Sequence, residues 1–165
     1  MKSRFTLLAL AMLALSASAF AQGHALDPGS GVGPLHIPGA GGSTITARAY
    51  TAAILTDANG TAIGKVKTAT IVTTNRGTLE GLRVTARSLT PGASYALVID
   101  GTLVGTATAD ANGAVTFKFL SPSNGRTPAI PDAIRPIATA HTVQLYEASS
   151  QRLAASGTLS SGSPK

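Results

Sequence analysis

The chain has 165 residues, with 13 Lys and Arg against 7 Asp and Glu, a formal net charge of +6, and neither Cys nor Trp. No disulfide framework and no cysteine nucleophile are available to it. Its stability must come from an aliphatic core, which a domain of roughly 100–120 residues can supply without covalent staples.

The first segment reads as an export signal. Lys2 and Arg4 precede the apolar run "FTLLALAMLAL", which is too short to span a bilayer, and Ala19-Phe20-Ala21 places small residues at a cleavage site. Cleavage after Ala21 is expected, with Ala17-Ser18-Ala19 as an alternative, and no cysteine follows for lipid attachment. The expected location is periplasmic or extracellular. Losing residues 1–21 removes two basic residues and both methionines, which lowers the net charge to about +4 and leaves Tyr50, Tyr95, Phe117, Phe119 and Tyr146 as the aromatics. A modest positive balance suits an anionic envelope polymer or another secreted protein as partner. Export argues against nucleic acid, and no basic cluster alternates with aromatics as single-strand binders require.

Residues 22–43 are rich in Gly and Pro without an apolar period and read as a flexible leader. Residues 44–160 read as one β domain and 161–165 as a tail. Within the domain, Thr-rich apolar runs alternate with turn signals, and no window shows the helical period. The strands are expected at 45–55, 61–73, 79–88, 94–99, 102–109, 114–119, 142–147 and 153–159. Asp57-Ala58-Asn59-Gly60 and Asp110-Ala111-Asn112-Gly113 repeat one turn solution, either type I′ or type I with a glycine bulge. Asp100-Gly101 reads as a two-residue type I′ turn, Asn75-Arg76-Gly77 as a three-residue loop, and Glu147–Gln151 as a looser closure. The Pro-rich stretch 121–137 is excluded from a central strand and reads as a stiff crossover between sheets. The fold class is therefore all-β: an antiparallel β-sandwich of about seven to nine short strands, with a small closed β-barrel as the alternative. Five aromatics are too few for the girdles of an outer-membrane barrel, and no further apolar run offers a membrane span.

Leu89-Thr90-Pro91-Gly92-Ala93-Ser94-Tyr95, followed by the strand Ala96-Leu97-Val98-Ile99, resembles the L-x-P-x-x-x-Y signature of secreted immunoglobulin- and fibronectin-III-like β-sandwich domains. The resemblance extends through residue 119. It implies a tyrosine corner, in which the Tyr95 hydroxyl bonds to upstream backbone. It implies no catalytic residue.

Enzyme signatures are missing: there is no G-x-S-x-G, H-E-x-x-H or P-loop. "Gly29-Ser30-Gly31-Val32-Gly33" is followed by Pro34 and preceded by no strand, so it is no phosphate loop, and the Asp57 turn lacks the distal ligands of a calcium loop. The chain is thus expected to be a non-enzymatic binding or envelope-associated structural module without a cofactor. Two alternatives come from specific residues. A mature terminus Gln22-Gly23-His24 offers an amine, two amides and an imidazole, a square-planar set for Cu(II) or Ni(II). Cyclisation of Gln22 would remove it, and a cut exposing His24 would leave His141 as the second histidine of a copper site. A hydrolase would need a carboxylate pair from Glu80, Asp132 and Glu147. His36 reads as an ordinary solvated residue, and His141 as a residue at a strand edge.

An anion-binding face is the other candidate. Closing the hairpin with a loop over 75–77 sets Lys65 opposite Arg87, Lys67 opposite Thr85 and Ala69 opposite Arg83, with Val66, Leu82, Val84 and Ala86 on the core side. Lys65, Lys67, Arg83 and Arg87 then share one face. Like charges across a strand pair are mildly unfavourable, so such a face is either a solvated edge guard or a surface kept to meet an anion.

Overall fold

Residues 44–161 are described by a computed structural model. Residues 1–43, which hold the expected export signal and leader with Gln22, Gly23, His24 and His36, and residues 162–165 lie outside the described residues. Nine strands form among those described: β1 (Ile45–Thr56), β2 (Ala62–Thr73), β3 (Gly77–Ala86), β4 (Ser94–Ile99), β5 (Thr102–Thr108), β6 (Val115–Ser121), β7 (Thr142–Glu147), β8 (Leu153–Thr158) and β9 (Ser160–Ser161). All pairings between these strands are antiparallel. The order is β5-β4-β7-β8-β1-β2-β3-β6, with β9 on β1.

That order has a weak point in its middle. β8 meets β1 through the single pair Thr56–Ser156, and β9 supplies the remaining contact with Thr51 and Ala52. The sheet therefore folds into two four-stranded halves, β5-β4-β7-β8 facing β1-β2-β3-β6, and curls toward a barrel. The two edge strands approach where the Phe119 ring stands over Gly105, whose missing Cβ would lie 3.0 Å from the ring. Both forms expected from the sequence thus describe one object: a sandwich joined along one side and almost closed along the other.

Strand alternation builds the core. Leu55, Val66, Leu82, Val84, Leu97, Ile99, Val143 and Leu145 point inward and are fully buried. Each such side chain contributes roughly 1.5–3 kcal/mol relative to exposure. Tyr95 joins this cluster while its hydroxyl accepts a hydrogen bond from the Thr90 N–H at 3.0 Å, which satisfies the polar tip of a buried ring.

The turns show how local chemistry sets the register. In both Asp-Ala-Asn-Gly turns the Gly N–H bonds the Asp carbonyl, and the Asp carboxylate accepts the N–H groups two and four residues on. The glycines stand at φ +78° and +69°, so the turn is the type I form with a glycine bulge. Asp100 and Gly101 are both at positive φ between the paired Ile99 and Thr102, as a type I′ turn requires.

One expected register needs correction. The β2–β3 loop is Thr74–Arg76, not 75–77, because Gly77 at φ +66° already pairs with Thr73. The Thr73 hydroxyl reinforces this closure by accepting the Arg76 N–H and donating to the Gly77 carbonyl. Opposite partners shift accordingly: Lys65 faces Thr85, Lys67 faces Arg83 and Ala69 faces Gly81. The shift preserves which side chains face outward, since residues two apart on a strand share a face.

The crossover from β6 to β7 passes from one half of the sandwich to the other. Its Ile130, Ile134 and Ile137 enter the main core, and short 3-10 turns form at Asp132–Ile134 and Ile137–Thr139. Residues 128–130 run beside the β6 edge, where Leu120 accepts from the Ile130 N–H and donates to the Pro128 carbonyl. Cis peptide bonds precede Pro122 and Pro136.

Candidate binding surface

Charge is distributed unequally over the two halves. On β1, β2, β3 and β6 the single carboxylate is Glu80, and it points inward with 1% exposure. The outward positions carry Arg48, Lys65, Lys67, Arg83 and Lys118. Lys67 pairs with Arg83, and Arg83 pairs in turn with Lys118, so three cations lie in one row across three neighbouring strands. Lys65 stands two residues before Lys67 on the same face. Lys65, Arg83 and Lys118 are exposed, while Lys67 is half-buried. Burial first, and then the charges of Lys65 and Arg83, hold the Lys67 ammonium below the ordinary lysine value.

Of the four residues expected on this face, Lys67 and Arg83 pair directly, Lys65 faces Thr85, and Arg87 lies past the last paired residue, Ala86. Arg87 follows the end of β3, exposed, with its backbone N–H on the Ile63 carbonyl. Lys118 was not among the expected members. Its outward position is legible from Val115, Phe117 and Phe119 turning inward, but its neighbour is set by the pairing of β6 with β3, which is nonlocal.

The outward face of the other half carries no charge along its strands' middles. It presents Val98, Leu103, Thr106, Gln144, Tyr146 and Ser156, of which Leu103 is 59% exposed. Between the two faces, where β1 and β8 part, an open groove of about 450 Å³ is lined by Ile54, Thr56, Thr142, Gln144, Ser156 and Thr158. Gly157 allows this approach, because a Cβ there would run into the Ile54 carbonyl oxygen.

The carboxylates considered for hydrolysis are engaged in structure. Both Glu80 oxygens are taken, one by Arg135 Nε at 2.5 Å and the other by the Ile137 N–H at 2.8 Å. Asp132 meets the same guanidinium at 3.2 Å. Hydrogen bonds to Glu80 and then to Asp132 raise the Arg135 pKa above its ordinary value. Glu147 accepts from the Ser150 hydroxyl at 2.6 Å in the β7–β8 turn.

His141 has a partner that the sequence does not disclose. Its backbone N–H and those of Thr142, together with the Thr142 hydroxyl, converge on the Asp100 carboxylate, and its Nδ1 lies 3.9 Å from that group. Burial pushes the Asp100 pKa up, but the hydrogen bonds from Thr142 and His141 and the nearby imidazole outweigh it, so the carboxyl sits below its ordinary value. Among the described residues no group of three or more His, Cys, Asp or Glu is placed to hold a metal ion. No helix among them is long and apolar enough to cross a membrane.

Comparison with protein-family models, with curated proteins and with solved structures finds no match to this chain.

Proposed function

We propose that the protein is a non-enzymatic binding module, exported to the periplasm or beyond, that meets an anionic envelope polymer on the outer face of β2, β3 and β6. The observation that carries this reading is the row Lys67–Arg83–Lys118 with Lys65 beside it, on strands whose one carboxylate, Glu80, faces inward. Directly opposed like charges cost a few tenths to about 1 kcal/mol per pair, and an anion laid across them turns that cost into attraction. Export is supported by Lys2, Arg4, the apolar run and Ala19-Phe20-Ala21, and kinship with immunoglobulin-like sandwiches by the Leu89–Tyr95 motif with its Tyr95 hydrogen bond.

The test is binding of the folded protein to polyphosphate and to polygalacturonate across a salt series, with Lys67→Gln, Arg83→Gln and Lys118→Gln combined. The reading expects salt-sensitive binding that falls at least tenfold in the triple variant. Affinity unchanged by the three substitutions, or no binding to either polyanion, overturns it.

A further inference from the structure

The groove beside the basic face has a composition of its own. Thr56, Gln144, Ser156 and Thr158 bring three hydroxyls and a carboxamide to an open cleft, and the Thr142 hydroxyl at its end already donates to Asp100. Thr56, Gln144 and Ser156 are half-buried and Thr158 is exposed, so all four line the cleft within reach of solvent. Thr142 stands opposite Thr158, and Gln144 opposite Ser156, so the four outward side chains on β7 and β8 form two adjacent rungs. This is an uncharged donor and acceptor surface of the kind that recognises hydroxyl groups rather than charge.

Its position matters as much as its content. Ile54, 44% exposed, forms one wall of the groove and is the direct cross-strand partner of Lys65. From β1 to β6 the surface crosses three strand spacings, roughly 14 Å, from the hydroxyl groove to Lys118. A single extended ligand lying across the strands therefore meets neutral hydrogen-bonding groups first and cations next. A ligand that complements both in that order carries hydroxyls and negative charges along one chain.

We infer that the groove and the basic row form one continuous site for an acidic polysaccharide, with hydroxyl-bearing sugar units seated against Thr56, Gln144, Ser156 and Thr158 and carboxylate or sulfate groups against Lys65, Lys67, Arg83 and Lys118. The inference rests on the proposed anion-binding face and adds the chemical class of the polymer. Polyphosphate supplies charge without sugar hydroxyls, and dextran supplies hydroxyls without charge, so the two contributions separate.

The experiment measures affinities of the full chain for polygalacturonate, polyphosphate and dextran at one ionic strength. Two groove variants are used: Gln144→Ala with Ser156→Ala, and the near-isosteric Thr56→Val with Thr158→Val, which keeps the β-branched shape of both strands. The expected result is tighter binding to polygalacturonate than to polyphosphate and little to dextran. Each groove variant should lose about tenfold toward polygalacturonate, as expected for two or more lost hydrogen bonds, while keeping its polyphosphate affinity. Groove variants that bind polygalacturonate like the parent protein overturn the inference while leaving the anion-binding face standing. Equal losses toward both polyanions also overturn it, since the groove would then contribute no recognition of sugars. Absence of binding to either polyanion defeats the proposed function itself.

Discussion

The Glu80 carboxylate, facing inward from β3, and the Arg135 guanidinium, 55 residues later in the crossover, meet at 2.5 Å. The same carboxylate accepts the Ile137 N–H at 2.8 Å, so one buried side chain ties the Pro-rich crossover to the sheet at two points. Ile134 and Ile137 on either side of Arg135 are thereby held in the core. The crossover is anchored to β3 at this point.

Removal of Glu80 should therefore destabilise the domain as a whole. Glu80→Ala leaves the buried Ile137 N–H without its acceptor and opens a space among apolar residues, at a cost of about 3 kcal/mol. Arg135→Ala should cost a comparable amount, because the carboxylate then stays buried with one partner. Urea denaturation of both single variants and the double variant measures the coupling. Purely additive effects would contradict the anchoring role.

The repeated turns offer an internal control. Gly60 and Gly113 share positive φ, but a Cβ at Gly60 meets nothing within 4 Å, whereas one at Gly113 runs into the Leu89 carbonyl. Gly60→Ala should cost about 1 kcal/mol for the left-handed backbone alone. Gly113→Ala should cost at least twice that, since the Leu89 N–H to Gly113 carbonyl bond at 3.0 Å has to shift as well. Thermal unfolding of the two variants decides the matter, and equal losses would contradict the packing difference.

Asp100 should make a pH-dependent contribution. Its folded-state pKa is depressed, so the stability it confers is present above the unfolded value, near about 3.9, and is lost as pH falls through the folded value. Asp100→Asn tests this cleanly because Asn tolerates the φ of +47° at that position. The parent protein should be more stable than the variant at pH 6, and the gap should close on acidification below pH 4. A gap independent of pH would assign the effect to shape rather than charge.

The basic row should carry a salt signature of its own. Mutual repulsion of Lys67, Arg83 and Lys118 falls when ions screen it. Because the Lys67 pKa is depressed on folding, its unfavourable contribution fades as pH rises through its folded value toward the unfolded one. Arg83→Gln should raise stability by a few tenths to about 1 kcal/mol at low salt, and the advantage should shrink at high salt. Denaturation midpoints at two ionic strengths measure both effects, and a destabilised variant at low salt would contradict the repulsion.

The amino-acid sequence by itself determined the local structure. The positions of β1 to β8, the two Asp-Ala-Asn-Gly turns, the Asp100-Gly101 turn and the inward faces of β2 and β3 follow from period-two patterning and the positive φ that Gly, Asn and Asp accept, whereas β9 was not foreseen. What lay between elements was decided only by tertiary structure. The β2–β3 register depended on whether Gly77 ended the loop or began the strand, and a hydrogen bond from its partner Thr73 settled it. Lys118 joined the basic row because β6 pairs with β3, and the groove exists because β8 leaves β1 after one pair. Glu80, Arg135, Asp100 and His141 found their partners across 41 to 57 residues of chain. Such contacts follow from how the two halves close over a shared core, and short-range periodicity carries no information about that closure.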